Sequence, residues 1–182
     1  MTRLVIADSG PLFSLAAGNL LHILTNFRLG ITDIVKQETI DRGLLPQCSI
    51  EARRLHDFYN QNAAAIEVFP TQVGVHLAGL RMLDPSYPTP RNLGELSIQS
   101  LLIELQLDPT EKAPLILFED GWFLRNSAGL AKPCALINTR GFLMNAEIHG
   151  LIPSAAQALI DIAAGNRVPS ATIIHQEFPK VP

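Results

Sequence analysis

Two hydrophobic patterns alternate along the chain and predict strands and helices in turn. Continuous apolar runs occupy 4–7, 114–118 and 134–137, and such runs are typical of strands buried on both faces of a parallel sheet. Shorter runs predict two more strands at 29–32 and 65–69. Apolar residues at helical spacing predict helices at 12–24, 33–43, 49–63, 72–82, 92–107, 122–124, 142–149 and 154–164. The alternation predicts one α/β domain with a mainly parallel central sheet.

Two segments fit neither pattern. Residues 83–92 contain three prolines, which exclude regular structure and push the preceding residues into extended conformations. The segment that follows Arg167 also contains three prolines, and we expect it to be an arm or a loosely attached tail.

The composition describes an ordered globular protein. The chain has 182 residues, of which 47% are hydrophobic and 17% are charged. No apolar run approaches the roughly 20 residues that span a bilayer, and the start lacks a signal-peptide pattern, so we expect a cytoplasmic protein without a membrane segment. Cys48 and Cys134 have no metal-ligand spacing, and we expect both thiols to be reduced.

Charge and motifs exclude several functions. A net charge of −3 argues against a protein that coats nucleic acid by neutralising its phosphates. It does not exclude a nuclease, because metal-binding carboxylates offset the basic residues in the net charge. The five histidines show no ligand spacing. The chain has no G-x-S-x-G, Walker A or G-x-G-x-x-G motif.

Acidic residues follow two of the predicted buried strands. Asp8 ends the first strand, and Glu119 and Asp120 end the strand at 114–118. Glu95 lies in the first turn of the helix that Asn92 is expected to cap. Ligand crevices of open α/β sheets lie beyond the carboxyl ends of the strands, so these acids could converge there.

Converging carboxylates repel one another and raise one another's pKa, which a divalent cation offsets. Mg²⁺ and Mn²⁺ prefer such oxygen ligands, and a site of this kind can activate water against a phosphodiester. The alternative is that Asp8 and Ser9 only cap the first helix and that the other acids are solvated.

Five short motifs, in order, resemble the PIN-domain family of small metal-dependent ribonucleases, and especially the toxins of bacterial toxin–antitoxin pairs. The opening Asp8-Ser9-Gly10-Pro11-Leu12 resembles the family's D-[ST]-x-P-L. The segments 34–38, 94–95 and 115–120 resemble its V-x-x-E helix, its G-E helix start and its strand that ends in acidic residues. Residues 137–143 with 150–153 resemble its closing G-T-x-G-x-L…G-x-I segment.

The resemblance implies a three-layer α/β/α domain over residues 1–165, followed by a C-terminal tail at 166–182. It also implies a Mg²⁺- or Mn²⁺-dependent endoribonuclease. The metal-ligating and catalytic acids that it implies are Asp8, Glu38, Glu95 and Asp120, with Glu119 as second choice for the fourth position. Ser9 matches the hydroxyl that holds the first acid or a coordinated water.

The partners implied by the same resemblance are an RNA substrate, a second copy of the chain in a homodimer and a small antitoxin protein. Candidate phosphate contacts are Arg53, Arg54, Arg81, Arg91, Arg125 and Lys132. Trp122 and Phe123 are expected in the core, or otherwise in an apolar patch for a partner.

Two departures from the family pattern keep other functions open. The residues after Asp120 are apolar, and the loop at 83–92 is long. A catalytically silent module that binds RNA or protein is the first alternative, and a phosphatase-like or other metal hydrolase is the second.

Overall fold

The computed structural model describes residues 3–107, 113–131 and 133–178. In these ranges six strands form one sheet in the order β3-β2-β1-β4-β5-β6. The strands are β1 (Leu4–Ala7), β2 (Arg28–Thr32), β3 (Ile66–Phe69), β4 (Leu115–Phe118), β5 (Cys134–Asn138) and β6 (His175–Phe178). The first five pair in parallel and β6 pairs antiparallel to β5, so the predicted mainly parallel α/β fold is confirmed.

Helices flank this sheet. They are α1 (Ser9–Ala17), α2 (Asp33–Glu38), α3 (Ile50–Asn62), α4 (Gln72–Leu83), α5 (Leu93–Gln106), α6 (Trp122–Arg125), α7 (Thr139–Ile148) and α8 (Ala155–Ala164). Short 3₁₀ segments lie at Leu21–Asn26, Asp41–Leu44 and Ser127–Gly129. Every residue of β1 and β5 is buried, although successive side chains point to opposite faces, so helices cover both faces at the centre of the sheet.

The strand order reverses between β1 and β4. From β1 the chain adds β2 and β3 on one side, and it then returns to place β4 on the other side of β1. Ligand sites of open α/β sheets lie at such a reversal, beyond the carboxyl ends of the strands. Asp8 follows β1 directly, and Asp120 lies two residues beyond β4.

Three predicted helices differ from their structure at the ends. The helix expected over 33–43 stops at Glu38, because Thr39 turns away and a 3₁₀ segment follows. The helix expected from 142 begins earlier, at Thr139, because Asn138 caps it by accepting a hydrogen bond from the Gly141 amide. The helix expected over 12–24 ends at Ala17 and is continued by a separate 3₁₀ segment.

The expectation of a loosely attached tail was wrong for its described part. His175–Phe178 forms the edge strand β6 against β5. Arg167 is also anchored, since its guanidinium donates to the Ser14 hydroxyl and to the Gly10 carbonyl. The residues beyond 178 lie outside the described ranges.

Two expectations from composition are compatible with the structure. Cys48 and Cys134 are free thiols that form no disulfide. Over the described ranges, no helix is long and apolar enough to cross a membrane.

Candidate functional site

Asp8 is a buried carboxylate at the carboxyl end of β1. Its amide extends the strand ladder by donating to the Leu117 carbonyl, and the residue is only 6% exposed. It occupies the position before α1, yet its side chain makes no capping hydrogen bond to that helix. Asp8 therefore stands at the N-cap position of α1 without the side-chain cap hydrogen bond that the alternative expected.

The pKa of Asp8 is raised to about 7. Burial is the largest cause, because it penalises the charged carboxylate, and the negative charges of Glu95, Glu38 and Asp120 act in the same direction. The Ser9 amide, which donates a hydrogen bond to the carboxylate, lowers the pKa but does not outweigh these effects. When Asp8 is ionised, its carboxylate has no cationic partner among the described residues.

Ser9 joins the first acid to the second. Its hydroxyl donates a hydrogen bond of 2.6 Å to Oε2 of Glu38, the last residue of α2. Because Ser9 directly follows Asp8, this bond holds the Glu38 carboxylate beside the end of β1. Ser9 is therefore a positioning residue for Glu38.

Glu95 reaches the same place from the first turn of α5. The backbone there comes very close to the other acids: a Cβ at Gly94 would lie 3.0 Å from Oε2 of Glu38 and 3.3 Å from Oδ1 of Asp8. The pKa of Glu95 is raised to about 7, mainly by partial burial and further by hydrogen bonding to the Asp120 carboxyl and by the charges of Asp120 and Glu38.

A chain of buried hydroxyl groups fixes α5 in this position. The Thr32 hydroxyl accepts a hydrogen bond from the Val35 amide, which caps α2, and lies 2.6 Å from the Ser97 hydroxyl. Ser97 in turn donates to the Gly94 carbonyl. This chain connects the starts of α2 and α5, so Glu38 and Glu95 are positioned together.

Asp120 is the fourth member of the group, from the segment after β4. Its Oδ1 accepts a hydrogen bond from the Trp122 amide, which fixes the side chain at the start of α6. The carboxyl group contacts that of Glu95 and raises the pKa of Asp8 as well. We call Asp8, Glu38, Glu95 and Asp120 the acidic site.

Glu119 is held by other partners. Its Oε1 accepts a hydrogen bond from the Thr139 hydroxyl, and its Oε2 lies 3.3 Å from Nη2 of Arg167. An acid that already has a cationic partner needs a metal ion less than an unpaired acid does. Between the two candidates for the fourth position, the geometry favours Asp120.

The acidic site differs from a compact metal cage. Its carboxylates are close enough to raise the pKa of Asp8 and Glu95, yet among the described residues no three His, Cys, Asp or Glu side chains are grouped closely enough to hold a metal ion. Such an arrangement suits a hydrated hard cation, which needs only one or two protein carboxylates, better than a site with three or four protein ligands.

The basic residues that were expected to contact phosphate differ in their partners and their exposure. Arg54 donates to the Ala16 and Ala17 carbonyls at the end of α1, which is a structural role. Arg53 contacts the Cys48 sulfur, and Arg81 donates to the Thr89 hydroxyl. Arg91 and Arg125 are exposed, whereas Lys132 lies outside the described ranges.

Of the two aromatic residues after Asp120, Phe123 is fully buried and Trp122 packs edge-on against it. Phe123 belongs to the core, as expected, whereas Trp122 is partly buried and packs against the core.

Sequence reasoning missed Ser97 and Arg167 as supports of the site. Ser97 had a detectable signal, because it is a polar residue in the apolar stripe formed by Leu93, Leu101 and Leu102. Arg167 had none, since its partners Ser14 and Glu119 are far from it in sequence.

The chain was also compared with known proteins. No protein-family model, curated protein or solved structure matches it.

Proposed function

We propose that this protein is a Mg²⁺- or Mn²⁺-dependent endoribonuclease with a PIN-like fold. One observation supports the proposal above all: four acids from four separate segments of the chain interact near the reversal of the strand order, and the pKa values of Asp8 and Glu95 are raised there to about 7. The resemblance of the sequence motifs connects this arrangement to hydrolysis of RNA. The PIN-like layering and RNA as substrate rest on that resemblance.

The donor set fits a hard divalent cation. All four members offer carboxylate oxygens, and Asp8 and Glu95 have raised pKa values that a bound cation would lower again. Asp8 and Glu95 would hold the ion, with Glu38 and Asp120 completing the negative environment. When bound, the cation would activate water and stabilise the charge that develops on the phosphodiester.

The protein's own residues supply orientation and exclusion of water. Ser9 fixes the Glu38 carboxylate, and the Trp122 amide fixes that of Asp120. Burial of Asp8 lowers the local dielectric constant, which strengthens every charge interaction in the site. The exposed Asp120 lies where a polynucleotide strand can approach.

The test is cleavage of a mixed RNA pool with Mg²⁺ or Mn²⁺ by the parent protein and by Asp8→Asn and Glu95→Gln. Each variant removes one charge at nearly constant shape, so we expect a loss of cleavage of at least tenfold and a weaker rise in melting temperature upon addition of metal. Glu177→Gln is the matched control, because the β5–β6 register places it near the start of β5, at the opposite edge of the sheet. Full activity in both site variants would refute the mechanism.

A catalytically silent module that binds RNA or protein is the second candidate. It is favoured by the lack, among the described side chains, of three acids grouped as a ready metal cage. A parent protein that cleaves no RNA with either metal, while still binding RNA or a protein partner, would select this function.

Homodimerisation and a small antitoxin partner belong to the proposal through the resemblance alone. Light scattering of the purified protein tests the dimer. An antitoxin-like reading frame beside the gene, whose product blocks RNA cleavage, is the expected result for the toxin assignment.

A further inference from the structure

A polar cavity lies directly beside the acidic site. It has a volume of about 250 Å³ and is bounded by α2, α4, the start of α5, the 3₁₀ segment at 41–44 and the loop after α4. Its polar lining consists of Gln37, Glu38, Arg42, Arg81 and Thr89. Glu38 belongs to both places, so a group held in this cavity lies next to the acids.

The cavity is suited to a charged group. Its apolar floor consists of Ile34, Leu77 and Leu93, none of which is more than 7% exposed. Little apolar surface is therefore left for a ligand to cover. The accessible lining consists of guanidinium, amide and hydroxyl donors together with one carboxylate.

The two arginines have unused hydrogen-bonding capacity. Arg42 is exposed, and its side chain forms no ion pair or hydrogen bond with any residue in the described ranges. Arg81 donates through Nη2 to the Thr89 hydroxyl at 2.7 Å. A guanidinium has five N–H donors, so Arg81 keeps donors for a ligand while Thr89 fixes its orientation.

We propose that Arg42 and Arg81 bind a backbone phosphate of the RNA strand next to the phosphodiester at the acidic site. This inference rests on the proposed function and adds the residues that hold the substrate. Arginine forks match phosphate oxygens in geometry and charge. The acidic site alone would repel a polynucleotide, and two cations beside Glu38 offset that repulsion where the strand has to pass.

The test measures binding of a short fluorescent single-stranded RNA by anisotropy, with EDTA present so that no RNA is cleaved. Counterion release makes the logarithm of the binding constant fall linearly with the logarithm of the salt concentration, by about 0.7 for each phosphate contact on a single strand. We expect Arg42→Gln and Arg81→Gln each to weaken binding severalfold and to reduce the slope, and the double variant to reduce it by about 0.7, the value for the one phosphate that both arginines hold. Arg81→Lys, which keeps the charge, should retain the slope of the parent protein.

Arg3→Gln is the matched control. Arg3 precedes β1, at the opposite edge of the sheet from Asp8, and its partner Glu177 is exposed. This variant should bind with the slope of the parent protein. Melting temperatures of all variants separate a loss of phosphate contact from a loss of folding.

The outcomes separate this inference from the proposed function. A parent protein that cleaves RNA while the slopes of Arg42→Gln and Arg81→Gln match that of Arg3→Gln would overturn the phosphate site and leave the nuclease intact. Slopes that fall as expected in a protein that never cleaves would support the phosphate site and refute the nuclease. Absence of RNA binding by the parent protein would overturn the inference.

Discussion

At the scale of single residues, the acidic site depends on how closely the backbone approaches its carboxylates. Gly94 is the clearest case, because a side chain there would press on Glu38 and Asp8 at once. The helix α5 starts at Leu93, and Glu95 follows Gly94 directly. A residue without a Cβ is therefore needed for the acids to share one site.

Gly94→Ala should separate stability from activity. Alanine favours a helix over glycine by up to about 1 kcal/mol, so the free energy of unfolding should change little or rise. The added Cβ would displace the flexible end of Glu38, and we expect RNA cleavage and metal affinity to fall severalfold. Urea unfolding and the cleavage assay measure the two effects.

Gly79→Ala is the control for this substitution. Gly79 lies inside α4, and a Cβ there would meet nothing within 4 Å. It should gain the helix-forming benefit and leave cleavage unchanged. If Gly94→Ala behaved in the same way, the close approach of α5 would be irrelevant to the site.

At the scale of elements, the contact between α2 and α5 positions two of the four acids. Thr32 and Ser97 are fully buried, and their hydroxyl groups connect the first turns of both helices. A displacement of either helix would move Glu38 relative to Glu95. The hydroxyl chain thus couples local capping to the geometry of the site.

Thr32→Val tests this coupling. Valine has nearly the same shape, but it cannot cap α2 or bond to Ser97, so the free energy of unfolding should fall by about 1–3 kcal/mol. Cleavage should fall as well, because Glu95 loses its fixed position. Thr32→Ser keeps the hydroxyl and should restore most of both quantities. Equal stability of Thr32→Val and the parent protein would contradict the role of the chain.

At the scale of the whole molecule, the acidic site lowers stability when no metal is bound. The pKa of Asp8 is about 7 in the folded protein and 3.8 in the reference state for an unfolded chain. Between these two values the folded protein binds more protons than the unfolded chain, so the stability present at lower pH is lost as the pH rises through this range. Glu95 acts in the same direction.

The metal-free protein should therefore become less stable as the pH rises from about 4 to about 7, by up to roughly 1.4 kcal/mol per pH unit for each proton. Urea unfolding in EDTA at several pH values measures this slope. Asp8→Asn should flatten it, and Mg²⁺ or Mn²⁺ should stabilise the protein more at the higher pH, where protons no longer compete with the metal. A slope that is the same in the parent protein and Asp8→Asn would contradict the pKa shift of Asp8.

The sequence by itself determined the elements and most of the acidic candidates. The buried strands β1, β4 and β5 were readable because continuous apolar runs between turn residues have few other structures available. Asp8 and the adjacent pair Glu119 and Asp120 followed from the ends of those strands, because parallel strands bring their carboxyl ends to one edge.

Tertiary structure decided what depends on contacts between distant segments. The pairing of Glu119 with Arg167 joins residues that are 48 positions apart, so no local pattern predicts it. The ends of α2 and α7, by contrast, were set by local capping that hydrophobic periodicity does not show. The attachment of β6 to β5 also depends on contacts between distant segments. Pairing between backbones leaves no hydrophobic pattern in the sequence of a segment that contains three prolines. The choice between Asp120 and Glu119 was open in the sequence because adjacent acids look alike until their partners are known.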